Sequence, residues 1–397
     1  MIGISLMYME PIMLVIDVGG FMINQKKLVA CTTTLQELDD KLKKENIIID
    51  YRKIRRITVT LIVVVSIFES GIMAYNYIQL EDSFWFAPLY VSTISKIWYV
   101  GLVYNVKQKF VAINLHLENM QRKFNDNKRK IKASYDKGKR LDSDQIGYLH
   151  REIVVKKNKA NRTYATKRKP DILQVQSRNT WTGELYGSHK FQQTIKENDV
   201  HTVVGDKLDK KLLVLTQLHF EIAEISKTVN QMFSFQMLFL MAYGFMAITA
   251  RIYFVYTGLA GQSIPVEFRS AQSAPVSIIF IAYTGAKCAT VIMLSWKTKI
   301  DGQKTGVYIH KVATAVDEDH CYQTVNHLSL KLMNHWINFT ACGFFELDMA
   351  TLYAITGAVT SYIIILIQFN LAYQRTRSAG GNETLVNSTN LTNASNA

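Results

Sequence analysis

The sequence predicts an all-α, polytopic helical membrane protein with cytoplasmic helix extensions. Three observations predict it: apolar runs of bilayer length, a sorting of basic residues between alternate loops, and sugar-acceptor sequons gathered at one terminus. A soluble chain of 397 residues with 48% hydrophobic side chains would suggest two or three ordinary domains. The apolar residues, however, fall in runs close to the roughly 20 residues that a bilayer core requires. Six such spans lie at about 3–24, 57–80, 85–106, 233–257, 275–296 and 349–372. The stretch from Met1 to Asn24 lacks the basic start and the small-residue cleavage site of a secretory signal, and it is read as a membrane segment.

The formal charge of +14 is explained by where the charges sit. Loops 25–56, 107–232 and 297–348 hold 40 of the 46 Lys and Arg residues. Lys96, Arg251 and Lys287 fall within spans, which leaves only Arg269, Arg375 and Arg377 for the opposite side. By the positive-inside rule the three basic loops are cytoplasmic and the carboxyl terminus is extracellular. Sequons beginning at Asn382, Asn387, Asn390 and Asn393 point the same way, because their glycosylation happens only in the lumen. Asn161 and Asn338 also begin sequons, but in loops on the cytoplasmic side, and are expected to stay unmodified. Six spans with an outside carboxyl terminus put the amino terminus outside as well. The expectation is therefore a seven-span full architecture with one further upstream span and a cytoplasmic amino terminus, in the plasma membrane.

In chain order, residues 1–106 hold the first three membrane helices. Residues 107–232 form a basic cytoplasmic loop, disordered in its polar middle from 130 to 199 and flanked by helices. The first flank carries Val111, Leu115, Leu117, Met120 and Phe124 near helical spacing; the second resumes at Leu208 and runs into the next span. Two membrane helices occupy 233–296. An amphipathic cytoplasmic region follows at 297–348, helical from 307 to 345, then the last span at 349–372 and an extracellular, glycosylated tail at 373–397. Cys31, Cys288, Cys321 and Cys342 show no CxxC spacing and are expected to be free thiols.

There is no Gly-rich phosphate loop, HExxH pair or GxSxG elbow, so the chain is expected not to be an enzyme and to carry no cofactor. His310, His320, His327 and His335 are spaced by ten, seven and eight residues, which matches no common zinc pattern, and no metal is expected. The basic loops follow from topology and do not imply nucleic acid.

Ionisable groups within spans are costly and mark function candidates. Glu69 and Lys96 both lie near the midplane of neighbouring antiparallel spans and are expected to face each other or a common aqueous cavity, as a structural ion pair or as part of a site. Lys287 is also near mid-span, while Arg251 is close enough to the outer surface to snorkel. Trp85, Phe86, Tyr90, Tyr253, Phe254, Tyr256 and Tyr283 gather toward the outer half, as interfacial belts do and as a pocket among helices also would. A ligand pocket built from Glu69, Asn76, Trp85, Tyr90, Lys96, Arg251, Tyr253 and Tyr283 would suit a small polyol or an alkaloid-like compound.

The last span carries the most specific signal. Small residues Thr356, Gly357, Ala358, Thr360 and Ser361 occupy its inner half and would allow close helix approach. An amide followed by an aromatic, Gln368-Phe369, sits near its outer end and suits a narrow, closable path.

The run Ser361-Tyr362, five apolar residues, then Gln368-Phe369 resembles the signature of the insect gustatory receptor family, Thr-Tyr followed by five hydrophobic residues and Gln-Phe. The lead-in Phe339 to Asp348, and Leu218-His219 with Asn230, resemble the same family. The resemblance covers mainly residues 205–375. It implies a chemosensory receptor acting as a non-selective cation channel opened by a small tastant, sugar or bitter, in a homotetramer or a heteromer with related subunits. It further implies that the last helix lines the pore, with Gln368 and Phe369 at the gate positions and Ile365, Tyr362, Ser361 and Ala358 on about the same face. The alternatives are a metabotropic seven-helix receptor, which would need the opposite orientation, and a non-conducting subunit or fragment of such a receptor. A transporter would need internal repeats, and none is visible.

Overall fold

The computed structural model describes residues 2–80, 87–136, 188–261, 274–316, 319–334 and 337–394. Seven helices are present among them: α1 (Ile2–Lys44), α2 (Tyr51–Leu80), α3 (Ala87–Asp136), α4 (Ser188–Leu259), α5 (Ala274–Val316), α6 (Asp319–Asn334) and α7 (Met349–Ala394). A two-stranded hairpin, β1 (Thr340–Ala341) and β2 (Phe345–Glu346), precedes α7.

Local sequence explains the breaks between helices. After α1, Ile47 N–H bonds Leu42 O and Asn46 N–H bonds Lys43 O, both at 2.9 Å, the paired bonds of a Schellman cap. Asn46 takes φ 56°, a left-handed conformation its short amide tolerates. Asp50 then caps α2, its Oδ1 accepting from Arg52 N at 3.1 Å and Lys53 N at 3.2 Å. These two devices turn the chain within a few residues, so α1 and α2 can run antiparallel.

The chain divides into two compact units: Met1–Phe110 with Glu221–Gly302 and Ile337–Ala397, and Val111–Phe220 with Gln303–Trp336. The first holds the parts of α1 to α5 that carry the predicted spans, plus the hairpin and α7. Its buried residues include Tyr99, Val103, Met237, Ala247, Ala250 and Ile292. Gly244 marks a close approach of α4 to α5, since a Cβ there would stand 2.6 Å from Cys288 Sγ. The second unit buries Leu117, Leu212, Leu215, Ile309, Val312 and Val325, and closes a Thr305–Asn114 hydrogen bond of 2.7 Å. Its apolar spacing is that of amphipathic helices packing on one another.

Stretches long and apolar enough to cross a membrane occur in three of the described helices, at Leu208–Leu259, Ala274–Ala315 and Met349–Thr376. Helices α1 to α3 instead combine buried charges with outward apolar faces such as Val15, Ile23, Val64 and Ile67.

Three parts of the described chain differ from the sequence expectation: the stretch expected to be disordered from 130 to 199 is helical at its two ends, to Asp136 in α3 and from Ser188 in α4, and the other two lie near the carboxyl end. The region expected to be helical up to 345 ends its helix at Asn334 and enters the hairpin. Cys342 and Gly343 at φ 53° and 78° form the tight turn, closed by a 3.0 Å bond from Phe344 N to Ala341 O. Helical periodicity could not show this, because the reversal depends on two consecutive positive φ angles. The last helix also continues past the expected span end at Ala372 to Ala394.

Candidate functional site

Polar side chains from five helices meet inside the first unit. From α1, Asp17 is buried and receives Lys96 of α3 on both carboxylate oxygens, the Oδ1 contact being 2.5 Å. Ser92, one turn before Lys96, donates to Asp17 Oδ2 at 2.5 Å and accepts from Lys96 Nζ at 3.1 Å. Gln236 of α4 adds a 3.2 Å bond to the Asp17 carbonyl and accepts from Ser95 at 3.2 Å. A buried charge is tolerable only when its partner and remaining lone pairs are satisfied, and this cluster meets both needs.

A second cluster centres on Glu69 of α2, whose Oε1 accepts from Thr93 and from Tyr283 OH, both at 2.5 Å, and from Lys287 Nζ at 3.5 Å. Lys287 also reaches Thr93 Oγ1 at 3.2 Å and stands 4.4 Å from the Tyr283 ring centroid. A third contact joins Glu10 of α1 to Tyr243 OH at 2.9 Å. Between the clusters lies a cavity of about 20 Å³, bounded among others by Glu10, Thr93, Lys96, Tyr243 and Lys287. That is room for about one water. Glu10, Lys96 and Lys287 border the cavity directly, and Asp17 and Glu69 stand behind the two lysines as their ion-pair partners.

The structure therefore brings Glu69 and Tyr283 into direct contact and places Lys96 beside them, but with Asp17 as its partner. Glu69 pairs with Lys287. Of the two arrangements expected for Glu69 and Lys96, facing each other or a common cavity, the direct pair is not formed because α1 lies against α3 and supplies a nearer carboxylate, and Lys96 borders the small cavity. Arg251 sits apart, stacked 4.3 Å over the Phe280 ring, its buried Nε without a hydrogen-bond partner among the described residues. Tyr253 faces α7, its OH accepting from Asn370 Nδ2 at 3.0 Å. Trp85, His335 and the loop middle at 137–187 lie outside the described residues, as do the side chains of Asn76, Tyr90, Cys321, Asn382, Asn387, Asn390 and Asn393. Sequence reasoning missed Glu10, Asp17, Gln236 and Tyr243. Two carboxylates seven residues apart, hence on one face of an apolar helix, were the available signal.

Helix α7 is held differently. Only 6% of its most apolar window is buried, against 44% for α4 and 33% for α5. Val359, Ile363, Leu366 and Asn370 form the attached stripe at helical spacing, aided by an edge-to-face contact of Tyr362 with Phe245 at 5.3 Å. Ser361, Tyr362, Ile365, Gln368 and Phe369 are exposed together, with Ala358 half-buried beside them.

The base of α7 is clamped. Asn230 of α4 accepts from Thr340 N at 2.9 Å and donates to Thr340 Oγ1 at 3.3 Å. Glu346 takes Lys299 of α5 at 2.6 Å and Asn338 Nδ2 at 3.1 Å. Asp348 caps the helix through Thr351 N at 3.0 Å.

Comparison with known proteins adds three findings. The family described as 7tm chemosensory receptor matches residues 182–373, which take in the clamp and the apolar part of α7. The gustatory receptor for bitter taste 66a of Drosophila melanogaster is 37% identical over 404 residues, covering 95% of this chain and 76% of its own. Putative gustatory receptor 28b of the same fly is 26% identical over 207 residues, 51% of this chain and 43% of its own. Among solved structures, the insect olfactory receptor OR5 from Machilis hrabei in complex with eugenol aligns with a TM-score of 0.52 at 12% identity, over 91% of this chain and 79% of that one. At that identity the likeness is one of fold.

Proposed function

This chain belongs to the insect gustatory receptor family of multi-pass chemosensory membrane proteins, which are not enzymes, and from that premise we propose that it is a tastant-gated, non-selective cation channel of the plasma membrane. The observation that carries the reading is the exposed face of α7, which presents Ser361, Tyr362, Ile365, Gln368 and Phe369, with Tyr362 also touching Phe245 by one edge. An apolar helix attached by one narrow stripe and bearing an amide and a phenyl ring near its outer end is suited to line an axis shared by several copies. Four copies, or a mixed tetramer with related subunits, would place Phe369 as the plug and Gln368 beside it. The tastant enters from outside among α1 to α5, toward the pocket that includes Glu69, Lys96 and Tyr283 and the cavity bordered by Lys96 and Lys287. It opens the pore by binding the parted bundle better than the closed one. The name of the 37% identical relative supports a bitter compound over a sugar.

Whole-cell recording from cells expressing the chain, alone and with related subunits, while a panel of bitter compounds and sugars is applied, is expected to show tastant-evoked cation current. No current for any tastant in either format, with the receptor at the surface, sinks the channel reading. The orientation has its own test. With the carboxyl terminus extracellular, endoglycosidase treatment lowers the apparent mass of the wild-type chain, and replacing Asn382, Asn387, Asn390 and Asn393 with Gln abolishes that shift. A tail that carries no glycan yet is reached by antibody only after permeabilisation would favour the metabotropic orientation.

A further inference from the structure

A second cavity lies away from the polar clusters, at the basic end of the bundle. It is a groove of about 500 Å³ between the later half of α1, the start of α2 and the first half of α3. That volume is in the range of small-molecule and cofactor sites. Its walls are mostly apolar, and Ile62 and Trp98, which line it, are 42% and 49% exposed. In a membrane protein such a flank faces acyl chains, so an occupant can arrive from within the bilayer.

Two polar features mark one end. Asn105 Oδ1 is buried and has no hydrogen-bond partner among the described residues. A buried acceptor left unmade is destabilising, so a donor at that position is favoured. Asp39, also lining the groove, is already neutralised by the fully buried Lys109. The start of α2 beside it carries Arg52, Lys53, Arg55 and Arg56. A cationic head would meet these charges unfavourably, and an anionic head with no O–H or N–H to give would leave Asn105 Oδ1 unmet. A neutral hydroxyl fits both constraints.

We propose that this groove is a binding site for a neutral membrane lipid with a free hydroxyl, a sterol or a diacylglycerol, whose hydroxyl donates to Asn105 Oδ1 while its apolar body lies between Ile62 and Trp98. The proposal needs membrane embedding, which the family establishes, and it does not depend on the channel reading. Silent recordings would leave it standing.

The test uses the full chain in phosphatidylcholine nanodiscs with a trace of photoreactive sterol or photoreactive diacylglycerol, and cross-links mapped by peptide mass spectrometry. Labelling is expected on the segments around Ile62 and Trp98 with at least one of the two probes. Gly101→Phe is the filling variant, because a Cβ at Gly101 meets nothing within 4 Å and the ring enters open space. It is expected to cut labelling about ten-fold. Asn105→Leu is expected to cut labelling by the hydroxyl-bearing probe about ten-fold while leaving its methyl ether unchanged, a split that misfolding would not produce. The site is refuted if Gly101→Phe labels like the wild type, or if Asn105→Leu lowers alcohol and ether alike. Competition of the label by bitter compounds but not by unlabelled sterol or diacylglycerol would also overturn the lipid assignment.

Discussion

Replacing Phe369 with alanine is expected to raise ligand-free cation current by about ten- to one-hundred-fold over the wild-type basal level. In the proposed closed state, copies of Phe369 meet on the axis, and each ring, 71% exposed among the described residues, is covered there by its neighbours. Burying a phenyl side chain is worth about 1.5–3 kcal/mol, and losing that from the closed state alone moves the gating equilibrium by the stated factor. Recording normalised to surface biotinylation checks it. Gln368, one residue before, is expected to act on permeation, so Gln368→Ala changes ion selectivity and conductance. Unchanged gating and permeation in both variants would remove α7 from the pore.

The second large effect concerns folding. Asp17→Ala leaves Lys96 buried at 5% exposure without its carboxylate. Stripping one partner from a buried pair costs about 3–5 kcal/mol, because the remaining charge keeps its desolvation penalty. That is a large part of the stability of a typical domain. Fluorescence-detected size exclusion after a heat step is expected to show Asp17→Ala collapsing at a temperature the wild type survives. Asp17→Leu combined with Lys96→Met is expected to recover most of the loss, since an apolar pair of similar volume avoids the penalty. An Asp17→Ala protein as heat-resistant as the wild type would mean that Lys96 is reached by water.

How far such a site could be read in advance depended on which residues were being weighed. The helical class and the importance of Glu69, Lys96, Tyr283 and α7 were legible, because a charge in an apolar run and a Gln-Phe pair at a span end stand out in one dimension. Partner choice was not. Glu69 and Lys96 share depth on adjacent spans, and depth alone paired them. The structure gives Lys96 to Asp17 and Glu69 to Lys287, because packing of α1 on α3 and of α5 beside α2 is a fact about rotation around helix axes that spacing leaves free. The hairpin before α7 was hidden for another reason: Cys342 at positive φ has no residue-type signature of its own, and only Gly343 hinted at a turn.

The clamp formed by that hairpin decides where α7 can move. Its base is fixed to α4 through Asn230 and to α5 through Lys299, so a displacement of either helix reaches α7 as though through a strut. Two to three turns above the clamp, Thr356, Thr360 and Ser361 each turn their hydroxyls back to carbonyls four residues earlier, at 2.9, 3.0 and 3.0 Å. Gly357 stands among them with open space around it. Back-bonding of this kind loosens and bends a helix, and glycine adds local compliance. The helix is thus held at its base by the clamp and beside Phe369 by the Asn370–Tyr253 bond, with a compliant section between the two. In the proposed channel, a push at the base would bend α7 at that section, and Phe369 would move with the Asn370–Tyr253 contact beside it.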